Sequence, residues 1–128
     1  MESVVLVDSC VYIRLMRERR DPAVELMERL PLEDLATCGM VRMEVIRGIP
    51  MPKARRAFVQ FFDVMQNVST DSRLWEEATE IAWQLQRKGF APPAQNLLIA
   101  ASAKRIDAAV LTFDSHFEMI RLRTLFYD

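Results

Sequence analysis

A short, unbroken apolar run from Ser3 to Val7 stops at a carboxylate, Asp8. A strand with one wet face alternates apolar and polar residues. A continuous Val/Leu run instead fits a strand buried on both faces of a parallel sheet. Ala108 to Thr112 repeats the pattern, with Asp114 just past its end. Leu35 to Cys38 reads as another strand, Val64 to Val68 as a weaker one, and Arg121 to Leu125 as a last edge strand. Parallel strands need long crossovers, and the residues between these runs carry helical spacing. Helices are expected from Asp8 or Ser9, from Asp21-Pro22, over Met40 to Arg47, over Lys53 to Met65, from Asp71 or Ser72 through Lys88, and from Pro92-Pro93 into Ala103. Trp75, Ala78, Ala82 and Leu85 are the expected apolar stripe of the longest helix. Strands alternating with helices predict an α/β fold, a three-layer α/β/α domain around a central, mostly parallel sheet.

The length of 128 residues suits a single domain over 1–128. The net charge of −1, from 17 basic and 18 acidic residues, excludes a nucleic-acid binder working through bulk positive charge. It leaves room for a local basic rim around an acidic centre. The basic residues are 14 Arg and 3 Lys. The planar guanidinium fork suits phosphate, although codon usage and surface ion pairs produce the same bias. Arg14 and Arg17 share a helix face, and Arg55 and Arg56 form a second basic group. Both are candidate RNA contacts, with solvated ion-paired faces as the alternative. Cys10 and Cys38 form no C-x-x-C unit and read as buried, reduced thiols. No apolar run approaches the ~18–20 residues of a membrane span, and Met1-Glu2-Ser3 lacks the basic start of a secretory signal. A cytoplasmic protein is expected.

In parallel sheets, functional groups gather at the carboxyl ends of the strands, where Asp8 and Asp114 stand. One such acid is most simply a helix N-cap. Two at the ends of neighbouring strands bring like charges together and call for a cation. Oxygen donors without a Cys/His cluster suit Mg2+ or Mn2+. Glu44 lies in a largely apolar helical turn, Val41 to Ile46. It faces a cleft or a partner, or else is exposed or paired with Arg47.

The ordered set Val4-Val5-Leu6-Val7-Asp8-Ser9, Met43-Glu44-Val45, Pro93 to Ala101 and Val110 to Phe117 resembles the PIN domain, and most of all the small VapC-type toxin ribonucleases. The resemblance spans essentially the whole chain. It implies an α/β/α fold whose acids bind one or two Mg2+ or Mn2+ ions and hydrolyse RNA phosphodiesters, leaving 5′-phosphate and 3′-hydroxyl ends. Carried over by position, Asp8 is the first acid, Glu44 the second and Asp114 the fourth, with Ser9 and Thr112 as supporting hydroxyls. The family usually has Asp before the Leu-Leu-Ile-Ala-Ala run. Here Asn96 stands there. An amide oxygen still ligates a hard cation but brings no charge, so metal affinity should fall. A weakened enzyme, a degenerate binding protein and a deliberate alteration that silences a toxic activity all fit Asn96.

The resemblance also implies a homodimer and a cognate antitoxin. Phe58, Phe61, Phe62 and Met65 exceed what one helix face buries internally, so they are either core or such a partner surface. Trp75 and Trp83 are expected in the core or an interface rather than as base-stacking platforms. His116 is expected to cap the turn before Phe117, with contact to the scissile phosphate as the alternative. Two other readings compete with a toxin nuclease: a PIN domain that only binds RNA or protein, and an unrelated Mg2+-binding regulator. A receiver-like regulator needs an Asp after its middle strand, and none stands there.

Overall fold

The computed structural model describes residues 4–120 and 122–127. Five strands form one sheet: β1 (Val5–Val7), β2 (Leu35–Cys38), β3 (Gln66–Val68), β4 (Ala109–Thr112) and β5 (Thr124–Phe126). Their order is β3-β2-β1-β4-β5, and every pair is parallel. The last strand starts later than expected, and Arg121, the first residue assigned to it from sequence, lies outside the described residues, as does Ser3. All residues of β1, β2 and β4 are buried. Successive strand residues point to opposite faces, so both faces of the sheet centre are covered and the fold has three layers.

The crossovers are α1 (Ser9–Arg17), α2 (Pro22–Arg29), α3 (Gly39–Ile46), α4 (Pro52–Asp63), α5 (Ser72–Arg87) and α6 (Ala94–Arg105). A 3-10 turn, Ser115–Met119, follows β4. Local signals set the ends. Asp21 and Asp71 cap α2 and α5 by accepting from the N–H groups of Ala23 and Leu74. Gly89, at φ 89°, closes α5, with Phe90 N–H donating to Leu85 O and Gly89 N–H to Gln86 O.

The core joins α1 to α4: Tyr12 is fully buried with its ring edge-on to Phe62, centroids 5.2 Å apart. Phe62 and Met65 are core residues, whereas Phe58 and Phe61 are only partly buried, so that aromatic cluster divides between core and surface. On α5 the buried residues are Leu74, Ala78 and Leu85. Trp75 sits one position round the helix and is 53% exposed, and Trp83 is 56% exposed, which removes both from the core.

β1 pairs with β2 on one side and β4 on the other. The chain leaves β1 toward β2 and β3, then returns across to β4. This reversal is the topological switch, and in such sheets ligands bind at the carboxyl ends of the strands beside it, here β1 and β4.

Candidate active site

Asp8 follows β1 directly and occupies the N-cap position of α1, yet its carboxylate makes no capping bond. Its backbone N–H donates to Leu111 O across to β4, which fixes its place at the sheet edge. The side chain is 5% exposed. Its Oδ2 accepts from Thr112 Oγ1 at 2.8 Å and from Cys10 Sγ at 3.1 Å, and its Oδ1 lies 3.4 Å from Ser9 Oγ. The helix-cap explanation of Asp8 therefore fails: the carboxylate is turned inward to the neighbouring strand.

Thr112, the last residue of β4, joins the two acids. It donates to Asp8 and accepts from the backbone N–H of Asp114 at 2.8 Å. Asp114 does cap its 3-10 turn. Its Oδ1 accepts from His116 N–H at 2.9 Å and lies 2.7 Å from His116 Nδ1. Its Oδ2 accepts from Asn96 Nδ2 at 2.8 Å. Partial burial works against the charged form of Asp114, but the bonds from Asn96 and from the backbone and ring of His116 outweigh it, so this carboxyl is held below the usual carboxylate range. The cap of this turn is therefore Asp114 and not His116 as expected: His116 is the residue whose N–H and ring bind the Asp114 carboxylate, and Phe117 behind it is fully buried.

Asn96 lies in the first turn of α6 and is 4% exposed. On this helix Ala100 and Ala103 are buried in the core with the strands, while Ala101 packs with Leu74 and Ala78 of α5, which holds α6 and its Asn96 against the sheet. Glu44 comes from α3. Its Oε1 accepts from Ser9 Oγ at 3.0 Å. That helix is tied down by Arg42, which donates to Asp63 Oδ1 at 2.7 Å and to Asn67 Oδ1 at 2.8 Å. An unbroken set of contacts therefore runs from Glu44 through Ser9, Asp8, Thr112 and Asp114 to Asn96. The four expected site positions and both supporting hydroxyls thus lie along one chain of side-chain and backbone contacts.

Cys10 is the residue that sequence reasoning placed wrongly. It is half-buried rather than buried. Burial first, and the neighbouring Asp8 charge second, push its thiol up to about 12. It therefore stays protonated at neutral pH and serves as a donor. Its position two residues after Asp8, in the first turn of α1, was the available signal.

The donor types, three carboxylates, an amide and two hydroxyls, are the oxygen donors that hard cations take. Asp8 and Glu44 have no cationic partner within ion-pair distance among the described residues. The acids are linked in series rather than crowded onto one point, and no three acidic, His or Cys side chains among the described residues are close enough together to chelate an ion. At position 96 the side chain is a neutral amide.

The basic residues divide. Arg14 pairs with Glu18 at 3.3 Å and stacks its guanidinium 4.1 Å from the centre of the Phe113 ring, beside Asp114. Arg17 lines a groove of about 440 Å³ with Ile13, Met16, Glu44, Val45, Arg47 and Gly48. Arg55 and Arg56 are exposed on α4, and no contact ties them to the acids.

The PIN domain family model matches residues 5–121, and the chain belongs to that family. Among solved structures it is similar to the DNA-bound VapBC of Salmonella typhimurium, at 20% identity over 97% of this chain and 98% of that one, TM-score 0.78. It is similar also to FitAcB from Neisseria gonorrhoeae, at 19% identity over 95% and 96%, TM-score 0.78. VapC20 of Mycobacterium tuberculosis, a sarcin–ricin loop cleaving toxin, shares 17% identity over 92% and 95%, TM-score 0.69. At these identities the likeness is one of fold. No curated protein matches the sequence.

Proposed function

We propose that this chain is a metal-dependent endoribonuclease hydrolysing RNA phosphodiesters, the toxin of a toxin–antitoxin pair, built as one PIN domain over residues 1–128. Asp8 carries the reading. It is a buried carboxylate at the switch point, with neither a cationic side chain among the described residues nor a capping bond, joined through Thr112 to Asp114. Burying a charge without a counter-charge is costly, and a divalent cation supplies one. Asp8, Asp114 and Glu44 would hold Mg2+ or Mn2+, with Asn96 beside them in place of the usual acid. Such an ion, when bound, acidifies a water and offsets charge on the phosphate.

The chain's own part is positioning. Thr112 and Cys10 fix one oxygen of Asp8, Ser9 aligns Glu44, and Asn96 with His116 holds Asp114 ionised. Arg17 and Arg47 have no ion-pair partner among the described residues and flank the groove beside Glu44. They would take the RNA backbone there, with Arg14 near Asp114 and with Arg55 and Arg56 further along the strand.

The similar structures include toxin–antitoxin complexes, which supports a cognate antitoxin for this chain. A homodimer would cover the exposed Trp75 and Trp83. No helix among the described residues is long and apolar enough to cross a membrane, and action on RNA accords with a cytoplasmic location.

A degenerate, binding-only PIN domain is the second reading. The Asn96 amide hydrogen turned toward Asp114 favours it. The test is cleavage of RNA in Mg2+ or Mn2+ by the unaltered protein, Asp8→Ala and Asn96→Asp. We expect weak metal-dependent cleavage, its loss in the first variant and its increase in the second. Intact RNA under the unaltered protein at saturating Mn2+, with cleavage by Asn96→Asp, would transfer the case to the binding reading. No cleavage by any of the three would end the nuclease reading.

A further inference from the structure

We propose that Cys10 is a positioning residue for the metal-binding carboxylate Asp8, a role that rests on the metal-dependent reading above. Asp8 Oδ2 accepts two donors, Thr112 Oγ1 at 2.8 Å and Cys10 Sγ at 3.1 Å, whereas Oδ1 has only the 3.4 Å contact to Ser9. One oxygen is pinned from two sides and the other is left available. The thiol works in a second direction too. Phe113 N–H donates to Cys10 Sγ at 3.5 Å, and Sγ lies 3.4 Å from Thr112 Oγ1. Cys10 thus bridges the first turn of α1, which carries one acid, to the segment after β4, which carries the other.

A single hydrogen bond from Thr112 would leave the Asp8 carboxylate free to swing about that bond. A second donor on the same oxygen removes this freedom. Groups that orient a ligand in this way commonly matter ten- to a hundredfold for metal affinity. Serine keeps both the donor and the acceptor of cysteine. Alanine removes both, and valine removes both while filling the space.

The experiment measures Mn2+ binding without any RNA, by titration calorimetry or by the electron paramagnetic resonance of free Mn2+. It uses the full chain and its Cys10→Ala, Cys10→Val, Cys10→Ser and Asp8→Ala variants, each checked by circular dichroism for folding. The expected result is roughly 10- to 100-fold weaker Mn2+ binding in Cys10→Ala and Cys10→Val, recovery to within a few-fold in Cys10→Ser, and loss of the site in Asp8→Ala. Should alanine fail to fold, valine carries the same comparison. Unaltered Mn2+ affinity in the alanine or valine variant, with binding lost in Asp8→Ala, overturns the role of Cys10 alone. Equal loss in Ser, Ala and Val also overturns it, because the effect would then be packing rather than donation. Unaltered Mn2+ binding in Asp8→Ala overturns the underlying metal reading instead.

Discussion

Replacing Asn96 by Asp exchanges an attraction for a repulsion. Asn96 Nδ2 donates to Asp114 Oδ2 at 2.8 Å, and Asn96 is 4% exposed. A hydrogen bond to a charged acceptor contributes about 1.5–3 kcal/mol. Two carboxylates ~4 Å apart at an effective dielectric of 20 repel by ~4 kcal/mol. The repulsion has a ceiling, because the pair can take up a proton. Protonating a carboxyl with an ordinary value near 4 at pH 7 costs about 4 kcal/mol. With solvent reaching the Asp114 side, a net loss of about 2–4 kcal/mol in metal-free buffer is expected. For a chain of this size that lowers Tm by roughly 6–20 °C.

The loss must depend on pH with a defined sign. In the variant the coupled pair has its folded value raised above the unfolded ~4, so the native state binds more protons between the two. Stability relative to the unaltered protein is then nearly equal below about pH 4 and falls as pH rises toward 7. Added Mn2+ should reverse the deficit, since a ligand at a hundred times its Kd restores ~2.7 kcal/mol. Thermal melts of both proteins from pH 4 to 8, with and without Mn2+, make the measurement. An unchanged metal-free Tm across this range would refute the contact between positions 96 and 114. A melt that falls and is not rescued by Mn2+ would refute the ligand role.

Three further outcomes follow from the site and its frame. Crowding of like charges alone predicts that Asp8→Ala leaves stability unchanged or slightly raised, but the structure reverses that expectation. The change strands the Thr112 hydroxyl and the Cys10 thiol, so a loss of about 1–3 kcal/mol should appear in urea unfolding, together with loss of RNA cleavage. Asp114, held below its ordinary value by Asn96 and His116, stabilises the fold above the unfolded value of about 4, and this contribution disappears as pH falls through its lower folded value. Melts of Asp114→Asn should therefore lack part of the acid destabilisation seen in the unaltered protein. Asp21→Ala removes the cap that accepts from Ala23 N–H and should cost about 1 kcal/mol in urea unfolding, with no change in Mn2+ binding.

The central strands were legible because both of their faces are buried, which forces apolar residues at every position. The edges were less so. β3 buries only Val68 of its three residues, and an edge strand needs little apolar sequence to pair. The phase of α5 misled for a different reason. Ala78 and Leu85 of the expected stripe are buried, but bulk drew its first position to Trp75, whereas the buried residue is the neighbouring Leu74. Asp8 and Asp114 were visible as acids at strand ends, a property of topology. The Ser9–Glu44 bond was not visible, since it depends on how Arg42 anchors α3 to Asp63 and Asn67.

Asn96 changes the meaning of that arrangement. With an acid at position 96, Asp114 would face a like charge and the pair would need a cation to be stable. With the amide, Asp114 is already satisfied: Asn96 supplies a donor to one oxygen and His116 to the other. On Asp8 the two close donors, Thr112 and Cys10, share one oxygen and leave Oδ1 with only the 3.4 Å contact to Ser9, and Glu44 has only Ser9. The carboxylate oxygens with fewest donors are therefore on the α1–α3 side of the site, on Asp8 and Glu44, rather than on Asp114. An incoming cation gains most there, because binding on the Asp114 side must first give up a charge-assisted hydrogen bond. On this chain the two halves of the site are unequal, and if the proposed cation binds, Asp8 and Glu44 rather than Asp114 would be the acids free to hold it.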